Sequence, residues 1–140
     1  MYSVFSKIKL LYKPYTQQIQ KVLEPHELTE LQWGLLRYLQ EDGPTTFSEI
    51  AEYWQVEKPS VTPVAQKLIE LGLIEVLPGK DKRQKVMHIT ELGQIKYREC
   101  KASVDLYQSK LLEGVSEQQI KVVNEVLEQL TSNVKKRGLI

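Results

Sequence analysis

This sequence of 140 residues is short of the residue patterns on which several kinds of chemistry depend. It has a single cysteine, Cys100, and so forms neither an internal disulfide nor a cysteine zinc cluster. Its two histidines, His26 and His88, are far apart and neither sits in a carboxylate and thiol cluster at ligand spacing, so no metal site is expected. There is no glycine-rich phosphate loop and no Ser-His-Asp or Cys-His arrangement at a recognisable spacing. Neither an enzyme nor a cofactor is expected. The N-terminus has no apolar run long enough for a signal peptide or a membrane span, which makes a soluble, cytoplasmic chain the expectation, with no membrane partner. A large charge excess is also missing. The net charge of +1 would argue against a polyanionic partner if it were evenly spread.

It is not evenly spread. Glu24 to Val56 holds seven acids against Arg37, while basic residues gather at Lys7 to Lys21, around Lys80 to Lys85, and at Lys135 to Arg137. The stretch around which the chain is arranged is 46–90. Thr46 with Glu49 three residues later is a capping box, and Ile50, Ala51 and Trp54 supply an apolar face, which predicts a helix over Phe47 to Trp54. After the turn Gln55-Val56-Glu57, a second helix is predicted with Val61, Val64 or Ala65, Leu68, Ile69 and Leu71 buried and Gly72 as a left-handed cap. Ala51 is small enough for the two helices to cross closely. The opposite face of the second helix carries Ser60, Thr62, Gln66 and Lys67, short hydrogen-bonding groups and one cation, a mixture suited to base edges and phosphates.

The period then changes from helical to alternating. Leu73 to Leu77 and Lys85 to Ile89 read as strands joined by a bend at Pro78-Gly79, with Lys80, Asp81, Lys82, Arg83 and Lys85 at or beside the tip. A cation-rich hairpin behind a helix-turn-helix fits a phosphate backbone or a narrow minor groove. Pro59 suits a first helical turn, whereas Pro63 lacks an amide donor. The recognition helix is therefore expected to begin late, near Ser60, so that Pro63 falls where no donor is needed.

These residues carry a resemblance. The capped helix at SEIA, the helix PSVTPVAQKLIELGLIE, the tip DKR and the closing IT-E-L-G resemble the multiple antibiotic resistance regulator (MarR) family of bacterial winged-helix repressors, most specifically from Leu68 to Gly93 and more loosely over nearly the whole chain. The resemblance implies that Asp81 orients Arg83 at the wing tip, with Lys82 in place of a more usual arginine, and that Ser60, Thr62 and Lys67 belong to the recognition pattern. With Ser48, Lys58, Gln66, Lys80 and Lys85 they make up the candidate DNA-binding set. The family often has glycine at the position of Gln55 and arginine at that of Pro63. It also implies a cleft for small aromatic or anionic effectors, for which Tyr12, Tyr15, His26, Trp33 and Arg37 are the candidates here. The thiol-sensing branch carries its reactive cysteine in the first helix, where this chain has none. Cys100 lies instead on an apolar stripe, as a packed core thiol.

The remaining segments read as helices. Residues 2–23 carry Phe5, Ile8, Tyr12, Tyr15, Ile19 and Val22 at helical spacing, with Pro14 expected to kink or divide the helix. Thr29 and Gln32 cap a scaffold helix through Leu31, Leu35, Leu36 and Leu39. Thr90 opens a long helix with Tyr97, Cys100, Val104, Tyr107 and Leu111 in a stripe, and Ser116 with Gln119 opens a last one with Ile120, Val123, Leu127, Leu130 and Val134. That is more apolar surface than one such chain covers by itself, which implies a homodimer. The expected fold is mainly α with a small two- or three-stranded β-wing: a winged helix-turn-helix lobe over 28–90 and a helical dimerisation region over 1–24 and 91–140, in one MarR-like domain. The expected function is a sequence-specific regulator, a repressor on a near-palindromic duplex, released by a small effector. The alternative is a winged-helix adaptor dimer whose lobe docks a protein, separable by the steep salt dependence of duplex binding.

Overall fold

A computed structural model describes residues 3–137. Tyr2, with which the first-helix expectation began, and residues 138–140 at the end of the expected dimerisation region lie outside them. The element order is α1 (Ser3–Leu23), a single 3-10 turn (Glu24–His26), α2 (Glu30–Asp42), β1 (Thr45–Thr46), α3 (Phe47–Trp54), α4 (Lys58–Glu70), β2 (Ile74–Pro78), β3 (Lys85–Ile89), α5 (Glu91–Leu111) and α6 (Glu117–Lys136). The chain is mainly α with a small sheet of three strands. By contact it forms two compact units that meet at Tyr107/Gln108 within α5.

In the first unit, local chemistry fixes the helix starts. Thr29 and Thr46 each accept from the amide three residues on, and Gln32 and Glu49 reach back to the cap amides, so both capping boxes are complete. α3 spans the predicted residues. Two Schellman turns then end α3 and α4: Val56 N donates to Ala51 O and Gln55 N to Glu52 O, and Leu73 N donates to Leu68 O and Gly72 N to Ile69 O. Both turns need a left-handed residue. Gly72 supplies it freely at φ 74°, while Gln55 adopts φ 61° with a Cβ attached.

The sheet order is β1-β3-β2, all antiparallel, with Val76 opposite Met87 and Thr45 on the other side of Met87. Met87 is fully buried and joins the sheet to a core of Leu35, Leu36, Ile50, Val61 and Leu68. α2 packs on α1, α4 and β3, as a scaffold should. Its buried face is Trp33, Leu35, Leu36 and Leu39; Leu31, expected on that face, is exposed. Trp33 stacks on Tyr97 of α5, with centroids 5.6 Å apart.

Two expectations about proline need correcting. Of the two outcomes expected at Pro14, a kink or a division, the division does not occur, since α1 runs unbroken through it. The carbonyl that loses its donor belongs to Leu10, which is 73% exposed, so water can satisfy it and the helix need not divide. α4 begins at Lys58 rather than near Ser60, with Glu57 at the cap, Pro59 in the first turn and Pro63 inside the helix. Ser60 N already donates to Glu57 O at 2.9 Å. Burial of Val61 with Val64, Ala65 and Leu68 holds the first turn helical, and Pro63 is exposed, so the orphaned Pro59 carbonyl is on the wet side.

α5 is tied to the root of the wing. Thr90 Oγ1 accepts from Gly93 N and donates to Gly72 O at 2.7 Å, and Thr90 N donates to Leu73 O. A Cβ on Gly93 would collide with the Leu73 carbonyl oxygen. In the second unit, Ser116 and Gln119 form a third capping box, and α6 follows with none of its residues buried.

Candidate nucleic-acid interface

Helix α4 and the β2–β3 hairpin enclose an open groove of about 790 Å³, with the N-terminus of α3 at one end. From α4 it receives Lys58, Thr62 and Gln66, one turn apart on the side nearest the wing. From the hairpin come Lys82, Arg83 and Lys85, and from the first turn of α3 comes Ser48. Ile69, Val76 and Leu77 make the apolar floor. Four cations and no carboxylate line this space, giving it a positive field with hydroxyl and amide groups at its centre.

The other candidates lie around the groove rather than in it. Ser60 and Lys67, seven residues apart, are exposed on the flank of α4 away from the wing. Lys80 and Asp81 occupy the hairpin tip. There the Asp81 carboxylate accepts from Arg83 N at 3.0 Å while Gln84 N donates to Asp81 O, so the acid fixes the backbone from which Arg83 projects. Thr46, Phe47 and Gln84 also line the groove and were not among the sequence candidates. The sequence marked Thr46 only as a helix cap, and pairing of β1 with β3 is what brings the start of α3 to the wing.

Three of the five effector candidates lie against α5. Tyr15 packs on Tyr107 with centroids 6.2 Å apart, His26 Nε2 is 2.8 Å from Ser103 Oγ, and Trp33 is buried against Tyr97. Arg37 Nη1 lies 3.8 Å from Glu41 Oε1 at the surface, and Tyr12 is exposed. Glu41 also accepts from the Tyr97 hydroxyl at 2.6 Å, and burial, followed by the adjacent carboxylate, pushes the Tyr97 pKa up to about 12. Cys100 is fully buried, and desolvation raises its pKa to about 11 against a smaller opposing effect of Lys96. A thiol so placed stays protonated and inert. Among the described residues no group of three or more His, Cys, Asp or Glu could hold a metal ion, and no helix is long and apolar enough to cross a membrane.

Comparison with known proteins agrees with this geometry. Residues 26–84 match the model of the MarR family. The uncharacterized HTH-type transcriptional regulator YwoH of Bacillus subtilis is 32% identical over 112 residues, covering 80% of this chain and 79% of YwoH. Among solved structures, Staphylococcus aureus MarR in complex with salicylate and kanamycin superposes with a TM-score of 0.85 at 29% identity, over 96% of this chain and 91% of that one. A mutant MarR from E. coli complexed with operator DNA gives a TM-score of 0.78 at 21% identity, over 91% and 93% of the two chains, a likeness of fold. The chain belongs to the MarR family of winged-helix transcriptional regulators.

Proposed function

We propose that this regulator is a repressor that binds a near-palindromic operator as a homodimer. The observation that carries the reading is the groove between α4 and the hairpin, where four cations flank Ser48, Thr62 and Gln66 with no acid among them. Cations neutralise phosphates and set the register; the hydroxyl and amide groups read base edges in the major groove. In this reading 28–90 is the DNA-binding lobe, and 1–24 with 91–140 is the dimerisation region. Ser60, Lys67, Lys80 and Asp81 act from the rim, by backbone contacts or by holding Arg83. A twofold dimer presents two α4 helices about one turn of DNA apart, which makes the half-sites inverted copies.

Release is by a small aromatic anion, as the salicylate complex of the S. aureus neighbour suggests, seated against α5 beside Tyr12, Tyr15 and His26. Trp33 shapes the wall from inside the core and Arg37 supplies charge at the edge.

Selection of bound fragments from a random DNA pool tests the proposal. The expected product is a pair of inverted half-sites with centres about 10 base pairs apart. Affinity should fall linearly in log salt, with a slope near 0.9 per phosphate neutralised. A pool that yields no preferred sequence would refute the reading.

A further inference from the structure

The start of α4 at Lys58 decides which side chains stand furthest out from the protein. At about 100° per residue, the buried positions Val61, Val64, Ala65 and Leu68 define one side of the helix, and the side opposite is occupied by Pro59, Pro63, Gln66 and, at its C-terminal end, Glu70. Thr62 lies to the wing side of this crest and Lys67 to the other. All six of these outer residues are exposed. The crest is thus apolar over its N-terminal half, two pyrrolidine rings one helical turn apart, and carries an amide in the third turn and the Glu70 carboxylate at its C-terminal end.

That composition is informative about the base sequence. A guanine is read by a bidentate cation, and the crest has none; the lysines are on its flanks. The group in the major groove that rewards an apolar contact is the C5-methyl of thymine, and the residue that pairs with two edges of adenine is glutamine or asparagine. Recognition helices read bases chiefly with their N-terminal residues, and on this crest those are the prolines.

We propose that Pro59 and Pro63 are specificity-determining residues that pack against thymine methyl groups, with Gln66 reading an adjacent adenine, so that each half-site contains a T·A-rich core. The inference rests on the operator-binding reading above and names the base class that the same surface selects. It also gives Pro63 a use that offsets the hydrogen bond it removes from α4.

The test replaces single thymines of the selected operator by deoxyuridine, which deletes the methyl group and leaves every hydrogen bond in place. Wild-type protein should lose about fourfold in affinity at one or two positions of each half-site, the value of one buried methyl. Pro63→Ala and Pro59→Ala, which leave a single methyl in place of the ring, should each lower that sensitivity at one position. Thermal melting of both variants checks folding, and removal of a proline from a helix interior is expected to leave it intact. Indifference to deoxyuridine throughout would overturn the inference while leaving operator binding standing, as would a loss that persists undiminished in both variants. Failure to select any sequence would overturn both.

Discussion

Gln55 carries a backbone conformation that its side chain does not favour. Its φ of 61° closes the Schellman turn of α3, at a cost of roughly 1 kcal/mol relative to glycine for an L residue in that region. Gln55→Gly should therefore raise stability by up to about 1 kcal/mol, less whatever the freer unfolded chain takes back, visible as a higher melting temperature with DNA affinity unchanged. A lower melting temperature would show that the side chain compensates in some other way. Tyr97 offers a titration test. Its pKa in the folded chain is about 12 against an ordinary value of 10, so the protonated hydroxyl is the form that folding favours. The associated stability is complete below pH 10 and is lost as the pH rises from 10 through 12, because the unfolded chain gives up the proton first. Denaturant melts over that range should show a steeper decline in wild type than in Tyr97→Phe, which has no proton to lose; equal declines would remove Tyr97 from the pH response.

Among the elements, those with an end signal in the sequence were legible and those governed by packing were not. Three Thr or Ser caps with a Glu or Gln at the third position placed the starts of α2, α3 and α6, because the signal and the hydrogen bonds that cause it are both local. The beginning of α4 was misjudged because the amide missing from Pro63 was given more weight than the burial of Val61, which the sequence also indicated and which holds the first turn helical. Leu31 differs: its spacing fits either side of α2, and only the neighbouring α5 decides in favour of Trp33. The groove residues of α4 and the hairpin were readable from residue type, but Thr46, Phe47 and Gln84 entered only when β1 joined the sheet and brought the α3 terminus to the wing. For the hairpin and helix together a division of labour is expected. Arg83→Ala should weaken binding to all operator variants by a similar factor, while Gln66→Ala should cost about 1 to 3 kcal/mol on sequences that retain its base and little on the others. Titration against a panel of operator variants separates the two; uniform loss from the Gln66 change would exclude it from base reading.

On the scale of the molecule, the surface left bare is the main fact. Phe5, Ile8 and Leu11 of α1 are exposed, and so are Val123 and Leu127 of α6, a helix with no buried residue at all. Soluble chains seldom leave such stripes open, and a second copy is the occupant the proposed function requires. Leu127→Asp should therefore dissociate the dimer and remove operator binding in the same concentration range, measured by sedimentation and gel shift on one preparation. A dimer that survives the change, or a monomer that holds a palindrome at full affinity, would contradict this arrangement.

The joint at Thr90 and Gly93 bears on how such a molecule can respond. With the hydroxyl of Thr90 bridging Gly72 and the first turn of α5, and no room beside Gly93 for even one added carbon, α5 and the root of the hairpin behave as a welded bracket. If the proposed operator-binding role holds, a tilt of α5 would reach the hairpin with little slack, because close packing at Gly93 leaves the smallest residue no freedom to act as a hinge.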